Sequence, residues 1–270
     1  MRLDVLPSMV VQRLRNLEIQ KQILILGSAP QAPEARAAIN PSTIVCVLNN
    51  AWRAVPSYDH IVYSDDFPDS NKPHLTELFK KGISSPQYWP AMNNFGGLLF
   101  CGATIAFAAA YWVIATYPCS QVTFFGASMN YDSAETHFYG IGSPDPCRKD
   151  PTLQSLEAKT CRLFYMALKR KCLLLDGSEL MESRLCFPKI PLQQALSTLL
   201  CSRDSLGVVD SRLSRLELIA AEALALEKAS SFDAHIYDYG CYVEDPAVWA
   251  QLRAIDTVWL SMKDEVAKWI

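Results

Sequence analysis

Through the first two thirds of the chain, short apolar runs recur that do not alternate with polar residues. They are Gln22–Leu26 (QILIL), Thr43–Leu48 (TIVCVL), His60–Tyr63 (HIVY), Val122–Phe125 (VTFF) and Cys172–Leu175 (CLLL). A strand with one wet face alternates; a continuous run needs apolar cover on both faces, which crossover helices give to a parallel sheet. Helical segments do lie between the runs: Pro33–Ile39, Leu75–Lys81 stopped by Gly82, Gly97–Thr116, and Thr152–Lys171. Strand–helix alternation of this kind predicts an α/β, Rossmann-like fold, a mostly parallel sheet with helices on both faces. After Pro188 the pattern turns almost wholly helical, in Leu213–Ala229 and Asp245–Ile270. The expected division is a nucleotide-binding, catalytic domain over 1–190 and a helical C-terminal region over 191–270.

Half of the 270 residues are hydrophobic, which supplies a large core. Lys plus Arg (25) nearly balance Asp plus Glu (28), without a basic run, which argues against general nucleic-acid binding through phosphates. The nine cysteines are odd in number and scattered, with no CxxC pair, and read as reduced thiols of a cytoplasmic protein. Charges interrupt every apolar stretch of residues 1–20, so no signal peptide is expected there. Leu98–Tyr117 is free of charge and long enough to cross a bilayer. It lacks flanking Lys or Arg and runs into a strand, so a buried helix is expected instead.

Ligands of open parallel sheets bind beyond the carboxyl ends of the strands. The polar residues that follow each run are therefore the candidates: Gly27, Ser28, Ala29 and Pro30; Asn49 and Asn50; Ser64, Asp65 and Asp66; Gly126, Ser128 and Asn130; and Thr136-His137-Phe138-Tyr139-Gly140. Asn93-Asn94-Phe95-Gly96-Gly97 opens the charge-free segment, and the N–H groups of Gly96 and Gly97 are suited to a phosphate or carboxylate. Asp65 and Asp66 are oxygen ligands suited to a divalent metal such as Mg²⁺, or a solvated cap of the next segment. His137 stands among Gly, Tyr and Ser rather than on an apolar face, as a base for a hydroxyl would. Arg184 and Lys189 are suited to an anionic group, or to solvent.

The order of these pieces resembles the bacterial CMP-sialic-acid-dependent sialyltransferases of the lipooligosaccharide type. Their superfamily also holds phage and bacterial proteins of largely unknown role and archaeal 6-hydroxymethylpterin diphosphokinase-like proteins. Ile25-Leu26-Gly27-Ser28-Ala29-Pro30 stands where the family has a strand followed by Gly-Asn-Gly-Pro-Ser. Asn49 matches the nucleotide-binding Asn after the second strand, and Phe95-Gly96-Gly97 falls on the Thr-Ser-Gly helix start. Gly126-Ala127-Ser128-Met129-Asn130 falls on Gly-x-Asp-x-Tyr, and Thr136-His137-Phe138-Tyr139-Gly140 on the Ser-His-Tyr-x-Gly of the catalytic histidine. The match covers roughly Gln22 to Pro188. Three positions depart from it: Ser128 replaces the acid, Asn130 the tyrosine that stabilises the departing phosphate, and Ser28 the asparagine. Tyr131 and Tyr139 are the phenols near enough in sequence to substitute.

The resemblance implies a glycosyltransferase that moves a sugar from a CMP-sialic-acid-like donor to an acceptor hydroxyl without a metal. His137 would be the general base, with Asn130 and Tyr139 at the departing phosphate. Gly27, Ser28, Ala29, Asn49, Asn50, Gly96, Gly97 and Ser128 would hold the nucleotide. Two alternatives stay open: a diphosphokinase-like transferase using ATP and Mg²⁺ through Asp65 and Asp66, and a non-catalytic nucleotide-binding module. Leu213–Ala229 carries Leu216, Ile219, Ala223 and Leu226 on one stripe, and Asp245–Ile270 carries Trp249 and Trp259. Such faces bury as a lid over the sheet or against a second copy, and a homo-oligomer is expected.

Overall fold

A computed structural model describes residues 21–130, 136–140, 155–178, 182–198, 206–230, 232–233, 235 and 245–270. Six strands form one sheet: β1 (Lys21–Leu26), β2 (Thr43–Leu48), β3 (His60–Val62), β4 (Gly82–Ile83), β5 (Cys119–Phe125) and β6 (Leu173–Asp176). Their order is β4-β3-β2-β1-β5-β6, with every pairing parallel. Along β1, Ile23 and Ile25 enter one hydrophobic cluster while Leu24 and Leu26 enter another. On β5, Val122 and Phe124 face the first cluster and Phe125 the second. Both faces are thus covered, as the unbroken apolar runs required, and the fold is α/β and Rossmann-like.

The helices are α1 (Leu75–Lys81), α2 (Ser85–Asn93), α3 (Leu98–Cys101), α4 (Ile105–Thr116), α5 (Leu156–Lys169), α6 (Leu192–Ser197), α7 (Leu206–Ala229), α8 (Pro246–Leu260) and α9 (Lys263–Ala267). Helices α2, α4 and α5 cover one face. The other carries two 3-10 segments, Ala32–Ala37 and Asn49–Ala54, and helix α6, whose Ala195 carbonyl accepts from the buried Gln121 amide at 2.6 Å. Strand order reverses between β1, whose chain leaves over the second face, and β5, whose chain returns through α5 over the first. A crevice outside the carboxyl ends of β1 and β5 is the expected ligand site of such a topology.

Several elements differ from the sequence expectation. The helix predicted from Pro33 is a 3-10 segment, confined between two adjacent strands. The long helix predicted over 97–116 is two helices. Lys159 caps the first by donating to the Leu99 and Gly102 carbonyls (2.8 and 3.2 Å), and Ala103 takes a left-handed φ of 99°. Thr104 then opens α4, its hydroxyl accepting from the Ala106 and Phe107 N–H groups. Ala106 to Ile114 are buried in the core, and no described helix is long and apolar enough to cross a membrane. Strand β4 and helix α2 were not anticipated, nor the break between α8 and α9 at Ser261 and Met262. The described cysteines Cys46, Cys101, Cys119, Cys161, Cys172 and Cys186 are buried and free; Cys147, Cys201 and Cys241 lie outside the described residues.

Helices α7 and α8 pack on each other and on α5, so the C-terminal region shares one hydrophobic core with the sheet. Leu216, Ala220 and Ala223 are fully buried there, opposite Leu252, Ile255 and Trp259. Of the stripe that was expected to meet a second copy, Leu216 and Ala223 are thus covered from within the chain, whereas Ile219 and Leu226 are half-buried. A buried ion pair holds the joint. Arg162 of α5 donates through Nε and Nη2 to the two carboxylate oxygens of Glu227 on α7 at 2.8 and 2.9 Å. Its remaining N–H groups reach the Tyr111 hydroxyl (3.0 Å), the Cys101 sulfur (3.4 Å) and the Phe95 carbonyl (2.5 Å). The Trp259 indole of α8 also donates to Glu227, at 2.8 Å. Side-chain exposure is 2% for Arg162 and 7% for Glu227, so only this saturation by partners makes the charges tolerable.

Candidate functional site at the carboxyl edge

At the switch point the turns after β1 and β5 lie in backbone contact. Gly27 N–H donates to the Phe125 carbonyl (2.8 Å) and Ala29 N–H to the Gly126 carbonyl (2.9 Å). A Cβ on Gly27 would sit 2.1 Å from the Gly126 oxygen, so only glycine permits this approach. Ser28 and Ala29, just beyond, are half-buried and face the crevice end of β1.

The segment carrying His137 is seated on this turn. Phe138 N–H donates to the Ser28 carbonyl at 3.0 Å, and a tight turn closes from Gly140 N–H to the His137 carbonyl at 3.0 Å. His137 Nδ1 is 2.8 Å from the Thr136 hydroxyl, and its ring stacks on Tyr139 with centroids 4.9 Å apart. The Tyr139 hydroxyl accepts from the Asn50 amide at 3.2 Å, which ties the segment to the end of β2. Asn49 adopts a left-handed φ of 44°, and its side-chain oxygen accepts from Ser64 N–H at 3.3 Å, joining the ends of β2 and β3. The structure thus brings together Gly27, Ser28, Ala29, Asn49, Asn50, His137 and Tyr139.

Ser128 and Asn130 lead toward β6 instead. The Ser128 carbonyl accepts from Arg184 N–H (2.9 Å), and the Asn130 amide donates to Glu182 at 3.4 Å. Asn130, Glu157, Glu182, Ser183, Arg184 and Lys189 line a concavity of about 410 Å³. Within it, Arg184 grips Glu157 through two hydrogen bonds, 2.8 and 3.1 Å. Burial pushes the Glu157 carboxyl up, but the Arg184 guanidinium, with further hydrogen bonds from backbone and Ser155, outweighs it and holds the carboxyl at about 2. Arg184 is thus engaged by an acid of its own chain.

Two further sets of candidates have partners within the chain. Helix α2 starts just after β4 and packs against α4. The Phe95 ring beyond it lies 5.1 Å from the guanidinium of Arg170, the residue that leads into the start of β6. The N–H groups of Gly96 and Gly97 donate to the Asn93 and Met92 carbonyls within the turn, and Gly96 lies against the Arg162 guanidinium. At the end of β3, Asp65 accepts from the Ser85 hydroxyl at 2.8 Å, and burial next to Asp65 and Asp66 pushes the Tyr88 phenol up. Among the described residues no group of three or more His, Cys, Asp or Glu is placed to hold a metal ion. Tyr131 lies outside the described residues.

Sequence reading missed Gln31, which follows the Gly27–Pro30 turn and opens the Ala32–Ala37 segment. Both polar atoms of its amide are enclosed without a hydrogen-bond partner. Nothing in the residue types around it marked it in the sequence.

No protein-family model, curated protein or solved structure matches this chain. The likeness to the sialyltransferases rests on the order of motifs alone.

Proposed function

We propose that this chain is a glycosyltransferase that moves a sugar from a nucleotide-sugar donor, of the cytidine type implied by the motif order, to an acceptor hydroxyl. One observation carries the reading: the segment bearing His137 is hydrogen-bonded to Ser28 at the switch point and tied to Asn50, among the groups suited to a nucleotide. In this reaction the acceptor oxygen bonds the anomeric carbon as the bond from that carbon to the phosphate oxygen breaks. His137 takes the acceptor's proton, and the electron pair leaves with the nucleotide monophosphate. Gly27, Ser28, Ala29 and Asn49 frame the nucleotide, and Tyr139 is the phenol placed near His137. Asp65, bonded to Ser85, lends the Mg²⁺-dependent alternative no support.

The test measures release of cytidine monophosphate from CMP-sialic acid, with water and a panel of glycans as acceptors. The His137→Ala variant is expected to lose about 10²–10⁴-fold in turnover, with nucleotide affinity nearly unchanged. Unchanged turnover removes His137 from the chemistry. Absence of nucleotide binding in the wild-type chain removes the reading itself, and binding without turnover leaves a non-catalytic module.

A further inference from the structure

Three polar atoms stand enclosed and unpartnered at the carboxyl edge: Oε1 and Nε2 of Gln31 and Oδ1 of Asn50. The two residues open neighbouring 3-10 segments that pack on each other, tied by the Arg36 Nε donation to the Ala54 carbonyl at 2.5 Å. Asn50 cannot turn its oxygen away freely, because its nitrogen is committed to the Tyr139 hydroxyl. An enclosed amide without partners has given up water for nothing, and three such atoms on two packed segments call for a group that returns the bonds.

Their chemistry says which group. Gln31 offers an acceptor and a donor in one plane; Asn50 adds a second acceptor. Two acceptors and one donor match an exocyclic amino group, whose two N–H bonds are both used, beside a ring nitrogen with a lone pair. Cytosine and adenine present that edge. Uracil places an oxygen where the amino group would be, which would face the Asn50 oxygen without a proton between them. Tyr139, stacked on His137 and 39% exposed, offers an aromatic surface on which a base can lie.

We propose that Gln31 and Asn50 read the edge of an amino-bearing nucleobase, with Tyr139 as its stacking surface. The inference rests on the reading that this crevice binds a nucleotide. The segment 136–140 is held over it by the Phe138 and Asn50 hydrogen bonds.

Isothermal titration of the full chain with cytidine, adenosine and uridine monophosphates tests this. The cytidine or adenosine nucleotide is expected to bind about 10-fold to 100-fold more tightly than the uridine one, the range for one bidentate pair. Gln31→Met should erase that preference while melting no lower than wild type, because methionine removes two unpaired polar atoms. Equal affinity for cytidine and uridine nucleotides, or a preference that survives Gln31→Met, overturns the inference and leaves the transferase reading standing. A melting point several degrees lower in Gln31→Met also overturns it, since the amide would then be bonded within the chain. If none of the three nucleotides binds, both fall.

Discussion

Replacing Glu227 by leucine leaves the Arg162 guanidinium buried and deprived of its counter-charge. Three hydrogen bonds vanish: Nε and Nη2 of Arg162 to the carboxylate, and the Trp259 indole to the same group. Removing one member of a buried ion pair costs about 3–5 kcal/mol. The bonds to Tyr111, Phe95 and Cys101 persist, but all go to neutral groups and leave the charge uncompensated. A loss near 4 kcal/mol is expected, a large share of the ~5–15 kcal/mol that holds a typical chain folded.

A second substitution makes the reasoning testable. Adding Arg162→Met to Glu227→Leu removes the stranded charge, and exchanging a whole buried pair for apolar groups is often near neutral. The double variant should therefore be more stable than Glu227→Leu alone, by about 2 kcal/mol, despite carrying two core changes. Urea unfolding followed by Trp fluorescence and circular dichroism reads both. A Glu227→Leu cost below about 1 kcal/mol, or losses that simply add, refutes the account. Nucleotide affinity at low temperature should not move, because the pair lies between the helices of one face rather than at the strands' carboxyl ends.

Gly27→Ala would bring a methyl within 2.1 Å of the Gly126 carbonyl oxygen, and the two strand-end turns would part. A loss of about 3 kcal/mol, seen as a markedly lower melting point, is expected; a wild-type melt would show that the turns are not in contact. For Glu157, a carboxyl pulled from its ordinary 4.5 to about 2 stabilises the fold fully above pH 4.5, and that contribution fades as pH falls toward 2. The urea midpoints of wild type and Arg184→Leu should accordingly converge over this window, and a gap that persists unchanged to pH 2 would exclude the pair as its source.

The fold was legible because burial on both faces forces a particular kind of strand. Ile23 to Leu26 show no alternation, and each side chain does enter one core or the other. Leu75–Lys81 was readable to the residue, since Gly82 ends the helix by capping it. Strand β4 escaped because two residues, Gly82 and Ile83, carry no pattern at all. Helix α2 escaped because Pro86 and Pro90 look like loop residues; Pro86 is tolerated in the first turn, and Pro90 is carried within the helix. The charge-free segment 98–117 hid its break because Gly102, Ala103 and Thr104 are apolar or small. What interrupts the helix is the Lys159 amine, 57 residues from Gly102 in sequence.

The site divides along the same line. Residues that follow strands directly, such as Ser28, Asn50 and Ser128, could be placed at the carboxyl edge by counting from the end of each apolar run. Gly96 and Gly97 could not, because their position depends on the direction of a helix that had not been anticipated. Gln31 was hidden for another reason. Its residue type is unremarkable on a surface, and only the absence of partners for both ends of its amide distinguishes it. Hydrogen-bond satisfaction is a property of the packed chain and leaves no mark on the sequence. The base contact proposed for Gln31 and Asn50 is therefore argued from amide atoms that the fold encloses and leaves unpaired, which no motif could have shown.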